Sequence, residues 1–181
     1  ILNSLLSILQ ERVWYNGIQE HKVPLWSLFS ASNEIPDDVE LQALYDRILL
    51  RQKVKPVPET EWTKLFRAFR ALEFNSGTRV NAIMSMSELK RLNALIAKVK
   101  LDYIYPKLLK LYSIFESKNL HLTDRRKCKT LKLIAASAIL DSRLDAQEQD
   151  LIVLKYIAPF NFEDFERVEA ILADEIKTSY K

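Results

Sequence analysis

The stretch LFSASNEIP at residues 28–36 ends an apolar, strand-like run on Asn33. An amide at the carboxyl edge of a sheet, where open α/β sheets bind ligands, can orient a water or touch a phosphate. The same Asn, Glu and Pro also suit an ordinary turn. A second stretch, LYDRILLR at residues 44–51, sets Arg47 and Arg51 among apolar positions. A guanidinium there is costly to bury unless it is paired. It is either a functional cation or a surface partner of Asp46 or Glu40. The third stretch is basic: Arg125, Arg126, Lys127, Lys129 and Lys132 open a helix after Thr123. Its first-turn amides could bind an anion with help from those side chains. At about 100° per residue, Cys128, Leu131, Ile134, Ala135 and Ala138 form one apolar stripe, with Arg125 near its edge and Arg126 pointing farther away. On that reading Arg125 is the better candidate for a fixed contact, although a solvated basic face accounts for the same composition.

These residues need elements to carry them. Residues 1–56 read as an α/β segment. It has a helix at 1–11, extended runs RVWY and IQEHKV about an Asn16-Gly17 turn, the run PLWSLFSAS, a short helix from about Asp38 to Asp46, and ILLRQKVKPV as a loosely alternating strand. The Asn-Gly pair predicts a hairpin in which both central turn residues take positive φ. At Pro56 and Pro58 the pattern turns helical and stays so. Trp62, Leu65, Phe66, Phe69 and Leu72 share one face of a helix from about 59 to 74. Gly77 marks a loop, Ser87 caps the next helix, and Pro106 suits the first turn of one ending near Asn119. Thr123 caps a further helix, another opens at Asp145 or Ala146 and runs to about Ile157, and the last spans Phe162 to Lys177.

Composition narrows the possibilities. With 181 residues, 48% of them hydrophobic, the chain can bury a real core, and only two glycines argue for a mostly helical one. The 27 basic and 24 acidic residues nearly balance at a net +3, so no large one-sign field favours nucleic acid or an anionic membrane. A lone Cys128 excludes an internal disulfide, and His21 and His121 do not make a zinc set, which fits a reducing, cytoplasmic setting. The apolar run LIAASAIL at 133–140 is less than half a membrane span, so a soluble protein is expected. The chain opens on Ile1 in mid-helix and reads as the later part of something longer. It has no GxxxxGK[ST] loop, no nucleophile–base pairing at usable spacing, and no distinct carboxylate pair.

Taken in order, ILNSLLSILQER, the NG turn, LFSASNEIP, LQALYDRILLR and LTDRRKCKTLKLIAASAIL resemble the second half of a MoxR-type AAA+ ATPase, closest to the RavA branch. The resemblance is strong over 1–55 and about 120–157, and weak over 57–118. It implies an α/β fragment of a P-loop NTPase core over 1–56 followed by an all-α helical lid over 57–181, mainly α by content. It also implies ATP with Mg2+ as ligand, a homo-oligomeric ring, usually a hexamer, and chaperone-like remodelling of partners that often carry a von Willebrand factor A domain. By the same resemblance Asn33 falls on sensor 1, Arg47 on the arginine finger offered to the neighbouring subunit, and Arg125, in TDRR, on sensor 2, with Arg126 beside it. The hairpin at 13–23 resembles the pre-sensor 1 insertion. The Walker A loop and Walker B acid precede these motifs in the family and are absent here, so this polypeptide alone is not expected to hydrolyse ATP. In the family's sheet the phosphate-loop strand separates PLWSLFSAS from ILLRQKVKPV, so these two should not pair directly. Two other classes stay open: a non-catalytic adaptor of AAA+ shape, and a helical nucleic-acid-binding module built on 125–132.

Overall fold

The computed structural model describes residues 2–33, 35, 38–74 and 82–176. Helix α1, Leu2–Glu11, ends where Arg12 turns left-handed at φ 62°, and the chain reverses into strand β1, Val13–Asn16. Strand β2, Gln19–Lys22, pairs antiparallel with β1, Val13 facing Lys22 and Asn16 facing Gln19. The hairpin forms where expected, one residue out of the predicted register. Asn16 ends the ladder and the central turn residues are Gly17 and Ile18, with only Gly17 at positive φ (61°). Glycine at the first central position removes the need for a second left-handed residue.

Two expected strands are not formed. PLWSLFSAS and ILLRQKVKPV run without a ladder, and the two runs do not pair with each other. A strand exists only through the N–H and C=O groups of a neighbouring strand, and among the described residues neither run has one; only Arg51 N finds a backbone partner across the chain, at Tyr156 O. Apolar side chains of both runs stay in water, with Phe29 93% and Val54 87% exposed. Helix α2, Val39–Arg47, is the short helix predicted there, and the Asp38 carboxylate accepts from the Leu41 amide at its start.

A turn of 3₁₀ helix at Glu59–Glu61 leads into α3, Trp62–Phe74. Helix α4, Met86–Ile96, is capped by Ser85 rather than Ser87. Ser85 Oγ accepts from the Glu88 amide while the Glu88 carboxylate takes the Ser85 N–H, a reciprocal box that Ser87 could close only with an acid at position 90, where Lys stands. The loop predicted about Gly77 lies outside the described residues.

The packed core begins at Val99. Helix α5, Tyr105–Ser117, buries Leu108, Leu111 and Phe115. Helix α6, Asp124–Leu140, buries Ile134, Ala135 and Ala138, and α7, Asp164–Glu175, buries Val168, Ile171 and Leu172. The segment predicted as a helix after Asp145 is instead 3₁₀, Glu148–Tyr156, and contributes Leu151 and Leu154. Both α5 and α6 stop at a left-handed residue, Asn119 (φ 59°) and Ser142 (φ 57°). In each the next amide reaches back to the helix, Leu120 N to Phe115 O at 2.9 Å and Arg143 N to Ala138 O at 2.8 Å. This closure satisfies the last carbonyls and aims the following residue inward. Leu120 thereby joins the core, and Arg143 meets Asp150 through a two-pronged bond of 2.7 and 2.8 Å.

Candidate functional site

The end of α2 and the start of α6 meet. Thr123 caps α6 by accepting from the Arg126 amide, and its hydroxyl donates to the Asp46 carboxylate at 3.2 Å. Arg126, 3% exposed, lays its guanidinium across the same joint. Nε donates to Ile157 O at 3.1 Å, Nη2 to Leu49 O at 2.9 Å and also to Ile157 O, and Nη1 lies 3.5 Å from both Asp46 O and Ile48 O. The Asp46 carboxylate is 4.0 Å away. Burial lowers the Arg126 pKa, an effect that the nearby Asp46 and Tyr45 oppose. The guanidinium fork matches carbonyls arranged in a plane, which a point-charge ammonium cannot do.

A second arginine completes the joint. Arg51, 7% exposed, donates to Pro159 O at 3.0 Å and Tyr45 O at 2.8 Å, and its own amide bonds Tyr156 O at 2.8 Å. Its guanidinium carbon sits 3.7 Å from the centre of the Tyr45 ring and 5.2 Å from that of Phe160, and those rings meet edge to face. Burial and the neighbouring Arg126 charge push its pKa down to about 10. Arg51 is buried rather than held at the surface. It is a structural residue whose partners are backbone carbonyls and aromatic faces.

The sequence candidates are distributed around this joint. Arg47, the last residue of α2, is half-buried. Its Nε and Nη2 donate to Gln10 Oε1 at 3.3 and 3.1 Å, and Nη1 to Ala43 O one turn back. Arg125, in the first turn of α6, is exposed and makes no hydrogen bond or ion pair among the described residues. Asn33 lies exposed at a bend. The expectation that Arg125 rather than Arg126 is packed and fixed is therefore corrected. The buried face of α6 runs through Arg126, Thr130, Ile134 and Ala138, while Cys128 is exposed. Residue type misled the reading, because Arg126 is buried by carbonyls from residues 46–49 and 157 that no helical wheel contains. Arg51 and Thr123 are the parts of the joint that spacing left without a role in it. The one signal for Arg51 was a cation within an apolar run.

The available donors are cationic. Arg125 has free N–H groups beside the first turn of a capped helix, and Arg47 is held by a neutral amide that an anion could displace. Among the described residues no group of three or more His, Cys, Asp or Glu could hold a metal ion. These residues fit the phosphate part of a ligand, and a metal would need ligands from elsewhere. A shallow apolar groove of about 300 Å³, lined by Tyr105, Leu108, Leu109, Tyr112, Lys127, Cys128 and Leu131, lies on another face of α6 and takes no part in the joint. No described helix is long and apolar enough to cross a membrane.

Comparison with known proteins divides the chain at residue 94. Residues 1–94 match the MoxR domain of the MoxR-vWA-beta-propeller ternary systems, and residues 94–172 match an AAA lid domain. Two uncharacterized proteins of Methanocaldococcus jannaschii are similar. One is 35% identical over 157 residues, covering 87% of this chain and 41% of that protein. The other is 32% identical over 174 residues, covering 96% and 44%. The chain thus spans less than half the length of these relatives. The crystal structure of a candidate ATPase from Cytophaga hutchinsonii shares the fold, with a TM-score of 0.66 at 16% identity over 95% of this chain and 60% of that one. The matched model describes the MoxR domain of those ternary systems and does not single out the RavA branch. The packing locks a MoxR-domain segment onto an AAA lid through buried arginines, and the chain belongs to the MoxR family of AAA+ ATPases.

Proposed function

We propose that this chain supplies the finger and sensor arginines of a MoxR-type ATPase that remodels protein partners. The observation that carries the reading is the joint itself. The helix ending in Arg47 and the helix beginning with Thr123-Asp124-Arg125 are fastened together, so a lid contact and a finger contact are built on one rigid piece. Bound ATP with its magnesium supplies the phosphoryl group that water attacks. Arg125, exposed and unpaired among the described residues, binds a phosphate oxygen of the subunit's own nucleotide. Arg47 leaves Gln10 and stabilises charge on the neighbouring subunit's nucleotide. Asn33 orients the attacking water. The phosphate loop and the metal ligand come from residues outside this chain. A homo-oligomeric ring, expected as a hexamer, follows from a finger acting in trans. The family description, which couples MoxR to vWA proteins, makes a von Willebrand factor A domain the expected partner chemistry.

The nucleic-acid alternative loses its continuous basic face, because Arg126 is buried and Lys127 pairs with Glu116 at 3.1 Å. The deciding experiment is steady-state ATP hydrolysis by the full-length protein. Arg47→Ala should reduce turnover by about 10³-fold or more, and mixing it with subunits whose phosphate loop is disabled should restore part of it. A full-length protein that binds its partner but shows no hydrolysis with Arg47 intact would favour the adaptor reading.

A further inference from the structure

We propose that Arg126 is a positioning residue that couples the lid to the finger: through the carbonyls of Asp46, Ile48 and Leu49 it sets where Arg47 stands whenever α6 moves. The inference rests on the reading of Arg47 as a trans-acting finger and goes beyond it, because it gives the residue beside the lid sensor a different task from the sensor's own.

The geometry carries it. Four carbonyls converge on one buried guanidinium: Asp46 from the last turn of α2, Ile48 and Leu49 from the peptide just after it, and Ile157 from the lid. The first three flank Arg47 directly, at positions 46, 48 and 49. Arg125 is the preceding residue of the same helical turn, so anything that pulls on Arg125 tilts the backbone from which Arg126 reaches across. Arg51 and Tyr45 fasten the far side of the same peptide to Pro159 and Phe160, so the segment 45–51 cannot shift against the lid without breaking charge-assisted bonds. The finger therefore follows the lid as one body. Nucleotide held in one subunit is reported to the next by rigid displacement, a two-site coupling with an identified connection.

The test uses the full-length protein and Arg126→Met, which keeps the apolar stem and much of the volume and removes every donor, beside Leu172→Ala, a lid-core variant that removes none of the joint's hydrogen bonds. In hydrogen exchange, Arg126→Met should speed peptides spanning 45–51 about tenfold and leave 108–115 at the wild-type rate. In ATP hydrolysis it should lower kcat by about 10²-fold, the scale of an ångström-sized misplacement, with little change in KM, and subunits with a disabled phosphate loop should rescue it as they rescue Arg47→Ala. Leu172→Ala, assayed at a temperature equally far below its own Tm, should show neither the kcat loss nor selective exchange at 45–51. Unchanged exchange at 45–51, or a kcat loss no greater than that of Leu172→Ala, overturns the proposal. If wild type hydrolyses no ATP, the finger reading fails by itself, and the exchange result still decides whether Arg126 holds the segment.

Discussion

The helices on either side of residue 98 all carry apolar residues on one face, yet they spend those faces differently. Between Val99 and Ile176, Ile104, Leu111, Phe115, Ile134, Leu151 and Leu172 are wholly buried. In α3, Phe66, Phe69 and Leu72 repeat at helical spacing and are 64%, 58% and 76% exposed. Neither α3 nor α4 buries a residue fully. Periodicity therefore says which face of a helix is apolar and leaves open what covers it. The lid closes on itself because its connections are short and its helix ends turn back into the core. The earlier part meets α6 at two places, through α4 and at the joint after α2.

The largest effect that sharpens this contrast is in the core. Phe115→Ala should cost about 3–5 kcal/mol, whereas Phe69→Ala should stay within about 0.5 kcal/mol, both read from urea unfolding followed by helix signal. Equal costs would show that the α3 face is covered in solution, and the contrast would fail.

The next effect concerns charge inside the lid. Asp150 is 1% exposed, and burial alone would raise its pKa, but the Arg143 fork, the Gln147 amide and the Ser137 hydroxyl together hold it below its usual value. Arg143→Ala leaves that carboxylate without its cation and should cost about 3 kcal/mol. Because the folded pKa is depressed, the stabilisation is complete above the unfolded value of about 4 and is lost as pH falls through the lower folded value. Without that cation, burial raises the carboxyl's pKa instead, so urea midpoints between pH 2 and 6 should fall less on acidification in Arg143→Ala than in wild type. Coincident acid limbs would remove Asp150 from the account.

Smaller effects compare neighbours at the joint. Arg125→Ala should weaken nucleotide binding to the full-length protein by about 1.5–3 kcal/mol, roughly tenfold or more, without lowering Tm. Arg126→Ala should lower Tm first, since it orphans carbonyls in the interior. The reverse pattern would exchange their roles. Thr123→Ala removes both the cap and the bond to Asp46 and should cost about 1 kcal/mol in thermal unfolding. A larger loss would mean that the Asp46 contact outweighs the cap.

Much of this was legible in the chain. The cap at Thr123, the proline opening of α5, the hairpin, the short helix ending at Arg47 and the motif order that marks a MoxR-type protein are local in sequence, and local chemistry sets them. Spacing failed where partners were distant. It put Cys128 in the packed stripe and Arg126 outside it, because type stood in for environment. It made strands of residues 24–32 and 48–57, because alternation shows a strand's faces and not its neighbours. It also took Arg51 for a surface ion pair or a catalytic group.

What the sequence determined by itself is a set of helices, their ends, and a family resemblance carried by motifs in order. The tertiary structure alone decided which of two adjacent arginines is buried and which is free. That outcome depends on carbonyls about 80 positions earlier and 31 positions later meeting one guanidinium. A buried cation is tolerable only where such acceptors converge, and convergence is a property of packing that no local pattern encodes.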